Sequence, residues 1–129
     1  MNLLSIVVPV YNEENNIGIL IEKLKNLDLS ISNFKKEIII INDGSTDKSA
    51  SIIGKFDEII VINQVNQGKG SAVQNGIKSA NGDYILIQDG DLEYNPDDII
   101  KMCSQLKSSK NMSIYGSRYK PFYLGLFPK

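Results

Sequence analysis

Four times in this chain a short apolar run of strand length stops at a polar loop, and between the runs the apolar residues fall into helical spacing. Leu3 to Val8 is apolar except for Ser5 and is halted by Pro9, Glu37 to Ile41 contains four consecutive isoleucines, and Glu58 to Ile62 and Tyr84 to Gln88 follow the same plan. Runs without polar alternation suit strands buried on both faces, the habit of parallel sheets. In between, Ile17, Leu20, Ile21, Leu24 and Leu27 recur at three and four residues, as on one face of an amphipathic helix. Asn12 is the expected N-cap of that helix, with Glu13 to Asn16 as its first turn. Asp47 is expected to cap a short helix through about Gly54. Ala72, Val73, Gly76, Ile77 and Ala80 mark a further helix with small residues on its packing face, closed by Asn81-Gly82. Pro96 suits the first turn of a helix from Asp97 to about Lys107, with Ile99, Ile100, Cys103 and Leu106 inward, and Met112 to Gly116 reads as a fifth strand. Strands alternating with helices imply an α/β chain, a mainly parallel sheet with helices on both faces.

The length of 129 residues allows one modest domain. Residues 1–119 are expected to form it. Lys120 to Lys129 holds two of the four prolines and no clear period, so 120–129 reads as a tail or a truncated continuation. Hydrophobic content of 42% and charged content of 22% are ordinary for a soluble globular chain, and a net charge of −1 argues against a nucleic-acid partner held by a broad basic face. No apolar run approaches the roughly 20 residues that span a bilayer, and Met1 to Tyr11 lacks the basic start of a signal peptide, so the expected location is cytoplasmic. The chain has no histidine and a single cysteine, Cys103. Histidine-dependent triads, histidine bases, zinc sites and internal disulfides are therefore excluded within it, and carboxylates must carry any metal.

The carboxylates stand where a metal site would need them. The run ending at Gln88 leads into Asp89-Gly90-Asp91, and carboxyl ends of parallel strands are where open α/β sheets place ligands. With only Gly90 between them, both acids can turn toward one hard cation, Mg²⁺ or Mn²⁺, which takes oxygen ligands and often bridges to phosphate. The loops at 8–13, 42–47 and 89–93 all follow strand ends on the same side, and three polar loops meeting there favour a ligand site over three solvated turns. Three competing motifs fail. Gly68-Lys69-Gly70-Ser71-Ala72-Val73 lacks the third glycine of a dinucleotide fingerprint, and it lacks the Ser or Thr of a phosphate-binding P-loop. A calcium loop begun at Asp89 would put Tyr94 at its glycine and Ile100 at its glutamate.

Taken together, Val8-Pro9-Val10-Tyr11-Asn12-Glu13, Asn42-Asp43-Gly44-Ser45-Thr46-Asp47, Gly68-Lys69-Gly70 and Gln88-Asp89-Gly90-Asp91-Leu92-Glu93-Tyr94 resemble the family 2 glycosyltransferases of the GT-A fold. Within that family they are most similar to the dolichyl- and polyprenyl-phosphate sugar synthases, a likeness that Gly116-Ser117-Arg118-Tyr119 shares. The resemblance covers nearly the whole chain to Tyr119 and implies a Rossmann-like GT-A sheet cut off before the family's acceptor half. It implies that Pro9, Tyr11 and Glu13 hold the base and ribose of a nucleotide-diphosphate sugar donor, that Asp43 contacts the base, and that Lys69 lies in a loop near the base. It implies that Asp89 and Asp91 face the metal and the donor diphosphate, and that Arg118 lies near the phosphates of donor or acceptor. Asn42 departs from the family, which usually has a second acid there; Asp43 is retained. Asp47, Glu93 and Asp97 read as caps and helix-start acids. The implied activity is an inverting, metal-dependent transfer of a sugar to an acceptor, with polyprenyl phosphate as a candidate that would bring the chain to the membrane surface. The alternatives are a non-catalytic nucleotide-sugar binding module, one that needs a partner chain or oligomer, and, less favoured, a phosphotransferase with Asp89 as nucleophile.

Overall fold

The computed structural model describes residues 1–90, 95–108, 114–115 and 123–125. In chain order they form β1 (Asn2–Val10), α1 (Ile17–Asn26), a 3₁₀ turn (Ser30–Ser32), β2 (Phe34–Asp43), α2 (Ser49–Ile53), β3 (Ile60–Gln64), α3 (Lys69–Ser79), β4 (Tyr84–Ile87), α4 (Asp98–Ser108), β5 (Ile114–Tyr115) and β6 (Tyr123–Gly125). The described strands make one six-stranded sheet in the order β3-β2-β1-β4-β6-β5. The four strands from β3 to β4 are mutually parallel, with Val8 beside Ile40 and Val7 beside Ile87. β6 runs antiparallel to both β4 and β5.

The apolar runs are continuous because both faces of the sheet are covered. Leu4, Ile6, Val8, Val10, Ile38, Ile40 and Leu86 pack under α1, α2 and α4, whereas Val7, Ile39, Ile41 and Ile85 pack under Ala72 and Ala80 at α3. A ten-residue helix is marginal alone, so α1 depends on burying Ile17, Leu20, Ile21 and Leu24. Each such side chain contributes about 1.5–3 kcal/mol.

Several boundaries differ from the sequence reading. Pro9 does not stop β1 but lies inside it, opposite Ile41. The carbonyl of Val7 accepts a hydrogen bond from Gln88 N–H on the β4 side (2.9 Å), and two residues on Pro9 faces that same side where β4 has already ended. The missing proline N–H therefore removes no ladder bond. β3 begins at Ile60 rather than Glu58 because Glu58 is left-handed (φ 62°), which breaks the extended backbone. α1 begins at Ile17, after a turn in which the Glu13 carbonyl accepts from Asn16 and Ile17 N–H, so Asn12 is not its cap. α3 closes on Ala80 in an extended conformation, not on Asn81-Gly82. In the segment read as a tail or continuation, Tyr123–Gly125 forms β6, a strand too short to carry a period of its own.

Ser5, the one polar residue in its run, is fully buried. Its hydroxyl donates to Glu37 Oε1 (2.6 Å) and accepts from Gly82 N–H (2.8 Å), while Glu37 also accepts from Asn81 N–H (2.6 Å). Ser5 thus ties the turn between α3 and β4 to the amino-terminal edge of the sheet. Ser5→Ala leaves the buried Gly82 N–H unpaired, and chemical denaturation should read a loss of about 1–3 kcal/mol; wild-type stability in the variant would remove this role.

Candidate functional site

From β1 the chain moves to β2 and β3 on one side, and β4 then joins β1 on the other side. The carboxyl ends of β1 and β4 therefore flank the point where strand order reverses, the place where sheets of this kind open a crevice for ligands. Pro9 to Glu13 leaves the end of β1, Asp43 ends β2, and Gln88 and Asp89 leave the end of β4. The first and last of these meet at Gly90. A Cβ built there would lie 3.2 Å from the Pro9 carbonyl oxygen and 3.4 Å from Glu13 Cγ, so the absence of a side chain lets the Asp89 turn close on the first loop.

The first loop is also bound to the second. Asn12 adopts a left-handed backbone (φ 52°), which asparagine tolerates better than most residues. Its Oδ1 accepts from Thr46 N–H (2.8 Å) and Asp47 N–H (3.3 Å), its Nδ2 donates to Thr46 Oγ1 (3.2 Å), and its own N–H donates to Ser45 Oγ (3.1 Å). Glu13 N–H donates to Ser49 Oγ (2.9 Å), and Glu14 N–H to Asp47 Oδ2 (3.1 Å). Asp47 also accepts from Ser49 N–H (2.8 Å) at the start of α2, although Lys48 and not Asp47 takes the cap position. Asn12 is the site residue that sequence reasoning assigned to the wrong task. Tyr11, its neighbour, leaves 47% of its surface exposed and offers an aromatic face at the rim.

Asp43 is 4% exposed and holds the third loop. Its Oδ1 accepts from Gln64 Nε2 and Gln67 N–H (both 2.8 Å), and its Oδ2 from Gly68 N–H (3.0 Å). Burial alone pushes this carboxyl up, but the bonds from Gln67, Gln64 and Gly68 together outweigh it and hold Asp43 below the ordinary carboxylate range. The anchor therefore stays ionised at neutral pH. A carboxylate offers about four acceptor positions, so one remains on Oδ2. Asn42 is buried as well, donating to Asn63 Oδ1 (3.2 Å) and accepting from Ser45 N–H (3.1 Å). The residue that departs from the family's usual acid is thus a bridge between the second loop and β3.

The loop that Asp43 holds delivers Lys69 to Asp89. The ammonium of Lys69, the first residue of α3, bonds Asp89 Oδ1. The loop expected near the base thus spans to the carboxylate expected at the metal. Gln88, one residue earlier, is fully buried, and its amide nitrogen and oxygen have no hydrogen-bond partner among the described residues. An orphaned buried polar group costs about 1–3 kcal/mol, given up at the residue that leads into Asp89. Asp91, Glu93 and Arg118 lie outside the described residues, as does the side chain of Leu106. Among the described residues no three acidic or cysteine side chains converge as a metal cluster. Cys103 is buried in the core cluster that also holds the apolar face of α1, and burial pushes its thiol up to about 12, which disfavours the reactive thiolate.

Asn12→Ala removes the acceptor for two amides of the second loop while leaving the sheet intact. Hydrogen exchange at Thr46 and Asp47 should accelerate by about tenfold or more, the equivalent of a hydrogen bond worth about 1.5 kcal/mol; unchanged exchange would mean that the loops are joined by something else.

Comparison with known proteins identifies the family and the fold. Residues 5–127 match the model of Glycosyl transferase family 2. The dolichol-phosphate mannosyltransferase of Pyrococcus furiosus is 30% identical over 97% of this chain, which spans 38% of that protein. The dodecaprenyl-phosphate galacturonate synthase of Rhizobium johnstonii is 38% identical over 81% of this chain and 32% of its own length. The chain therefore spans about a third of the curated relatives it matches. Glucosyl-3-phosphoglycerate synthase of Mycobacterium tuberculosis, solved with Mn²⁺, UDP and glucosyl-3-phosphoglycerate, superposes with a TM-score of 0.59 at 27% identity, covering 74% of this chain and 35% of that one. TarS of S. aureus, solved with UDP, superposes with a TM-score of 0.69 at 23% identity, covering 84% of this chain and 32% of that one, a likeness of fold. The expected sheet is the GT-A fold. With a family match over nearly all of its length and close kinship to polyprenyl-phosphate sugar transferases, the chain belongs to glycosyl transferase family 2.

Proposed function

We propose that this chain binds a nucleotide-diphosphate sugar along the carboxyl edge of its sheet, with the base between Pro9, Tyr11, Glu13 and Asp43 and the diphosphate at Asp89. The reading rests above all on the joining of the two ends, since one loop fixed by Asp43 carries the lysine that reaches Asp89. The activity proposed for the whole protein is inverting transfer of the sugar to an acceptor, with polyprenyl phosphate as the acceptor that the names of the relatives favour.

Asp89 fits a divalent cation by its own chemistry. It is a carboxylate that already holds positive charge in the form of the Lys69 ammonium, and no softer donor stands near it among the described residues. Asp89 and Asp91 would hold Mg²⁺ or Mn²⁺, and Mn²⁺ accompanies UDP in the Mycobacterium tuberculosis enzyme. A divalent ion bound there acts as a Lewis acid on the departing diphosphate. The protein's own residues do the remaining work. Tyr11 supplies an aromatic face to the base, the open acceptor of Asp43 takes a base N–H, and the Gly90 contact sets the distance between the two ends. Arg118 is assigned to the phosphates of donor or acceptor.

In the proposed transfer an acceptor oxygen bonds the anomeric carbon as the bond to the nucleoside diphosphate breaks on the opposite face. A phosphate oxygen is already anionic, so a polyprenyl phosphate needs no general base, which agrees with a chain that has no histidine. Calorimetric titration with UDP and with GDP, each with and without Mn²⁺, tests the donor site. One nucleotide should bind only with Mn²⁺, and Asp89→Ala with Asp91→Ala should weaken it at least about tenfold, the scale of one lost charge-assisted contact. Metal-independent binding, or equal binding by the double variant, would overturn the assignment. Binding without sugar transfer in a product assay would mark the chain as a binding module.

A further inference from the structure

The pair between Lys69 and Asp89 is the one ion pair among the described residues, although the sequence holds 14 basic and 15 acidic side chains. We propose that Lys69 is a stand-in for the metal: it neutralises Asp89 until a divalent cation arrives, then passes to the diphosphate of the donor. The proposal rests on the nucleotide-sugar reading of the site and adds a donor-binding residue and an order of events to it.

Three observations carry it. First, Lys69 is fixed at its base and free at its tip. The N–H groups of Gln67 and Gly68 are held by Asp43, whereas the Lys69 side chain is 63% exposed and no other partner binds its ammonium among the described residues. A four-carbon stem on a fixed root can swing its ammonium between neighbouring anions. Second, Asp89 is the more enclosed partner, with its side chain 24% exposed, and the ammonium sits on Oδ1 of the carboxylate that a divalent ion would also use. A divalent ion on the same carboxylate repels the ammonium, so binding of the ion favours release of the lysine. Third, among the described residues the ammonium has no second carboxylate partner, and three of the four acceptor positions of Asp43 are already filled. A donor diphosphate beside the metal would be the strongest anion within reach of the stem.

The exchange makes metal and donor help one another. Lys69 competes with the metal when the donor is absent and contributes to binding when it is present, so one substitution should move the two affinities in opposite directions. By linkage each ligand then tightens the other equally.

The test uses Lys69→Met, which keeps the stem and removes the charge at an exposed position. Mn²⁺ binding is read from the electron paramagnetic resonance of the free ion, first with Mn²⁺ alone and then with UDP or GDP. Mn²⁺ alone should bind the variant about two- to fivefold tighter than wild type, the range of an exposed ion pair removed as competitor. The nucleotide in the presence of Mn²⁺ should bind it at least about tenfold weaker, as expected for a lost charge-assisted hydrogen bond. Equal or weaker binding of Mn²⁺ alone, or unchanged nucleotide binding, would overturn the stand-in role while leaving the donor site in place. Failure of wild type to bind either nucleotide with Mn²⁺ would instead overturn the donor site, and this role with it.

Discussion

Parallel pairing of β1 with β2 on one side and β4 on the other is the constraint on which the remainder of the structure depends. It buries both faces of β1, which is why the run from Leu3 to Val8 tolerates one polar residue, and why that residue is spent on a bond to Glu37 and Gly82. It also brings the carboxyl ends of β1, β2 and β4 to one edge. The amino-terminal edge is tied down by Ser5, Glu37 and Asp83, the last accepting from Leu3 N–H (2.9 Å). The carboxyl edge is left to the loops.

Those loops are ordered mainly by polar bonds to one another. Asn12 binds the second loop, Asp43 binds the third, Gly90 lets the turn after β4 close on the first, and Lys69 links the third loop to Asp89. The result is a closed circuit of contacts around the switch point, in which each loop is fixed by a residue belonging to another. Such preorganisation lowers the ordering cost of binding a flexible donor. In the proposed donor site the charged groups would position and neutralise phosphate, and neither task requires a side chain that titrates near neutral pH.

The fold was legible in the sequence because its strands are buried on both faces and its helices on one. Ile38 to Ile41 and the spacing from Ile17 to Leu24 have no other economical reading. The position of Asp89 followed from the strand before it, and the small residues Ala72 and Gly76 marked the face of α3 that meets the sheet. Several of the misreadings share one cause, which is that the deciding partner is remote. Asn12 beside a helical pattern resembles an N-cap, and only Thr46 and Asp47 make it a latch between loops. Pro9 looks like a strand end until β4 is seen to finish first. β6 owes its existence to β4 and β5, and nothing within Tyr123–Gly125 could announce it. The engagement of Asp43 by Gln64, Gln67 and Gly68 was equally invisible, because three of its four acceptor positions are filled across more than 20 residues of sequence.

In the proposed site metal and nucleotide sit together at the carboxyl edge of the sheet, and paramagnetic broadening reads their position directly. Amide NMR spectra of the labelled chain with UDP or GDP, before and after Mn²⁺, should lose the resonances of Lys69 and Gly90 first. The signal of Gly82 should persist, since it lies at the opposite end of β4, roughly 20 Å away by strand rise. Broadening centred on Gly82, or spread evenly over the chain, would contradict the placement.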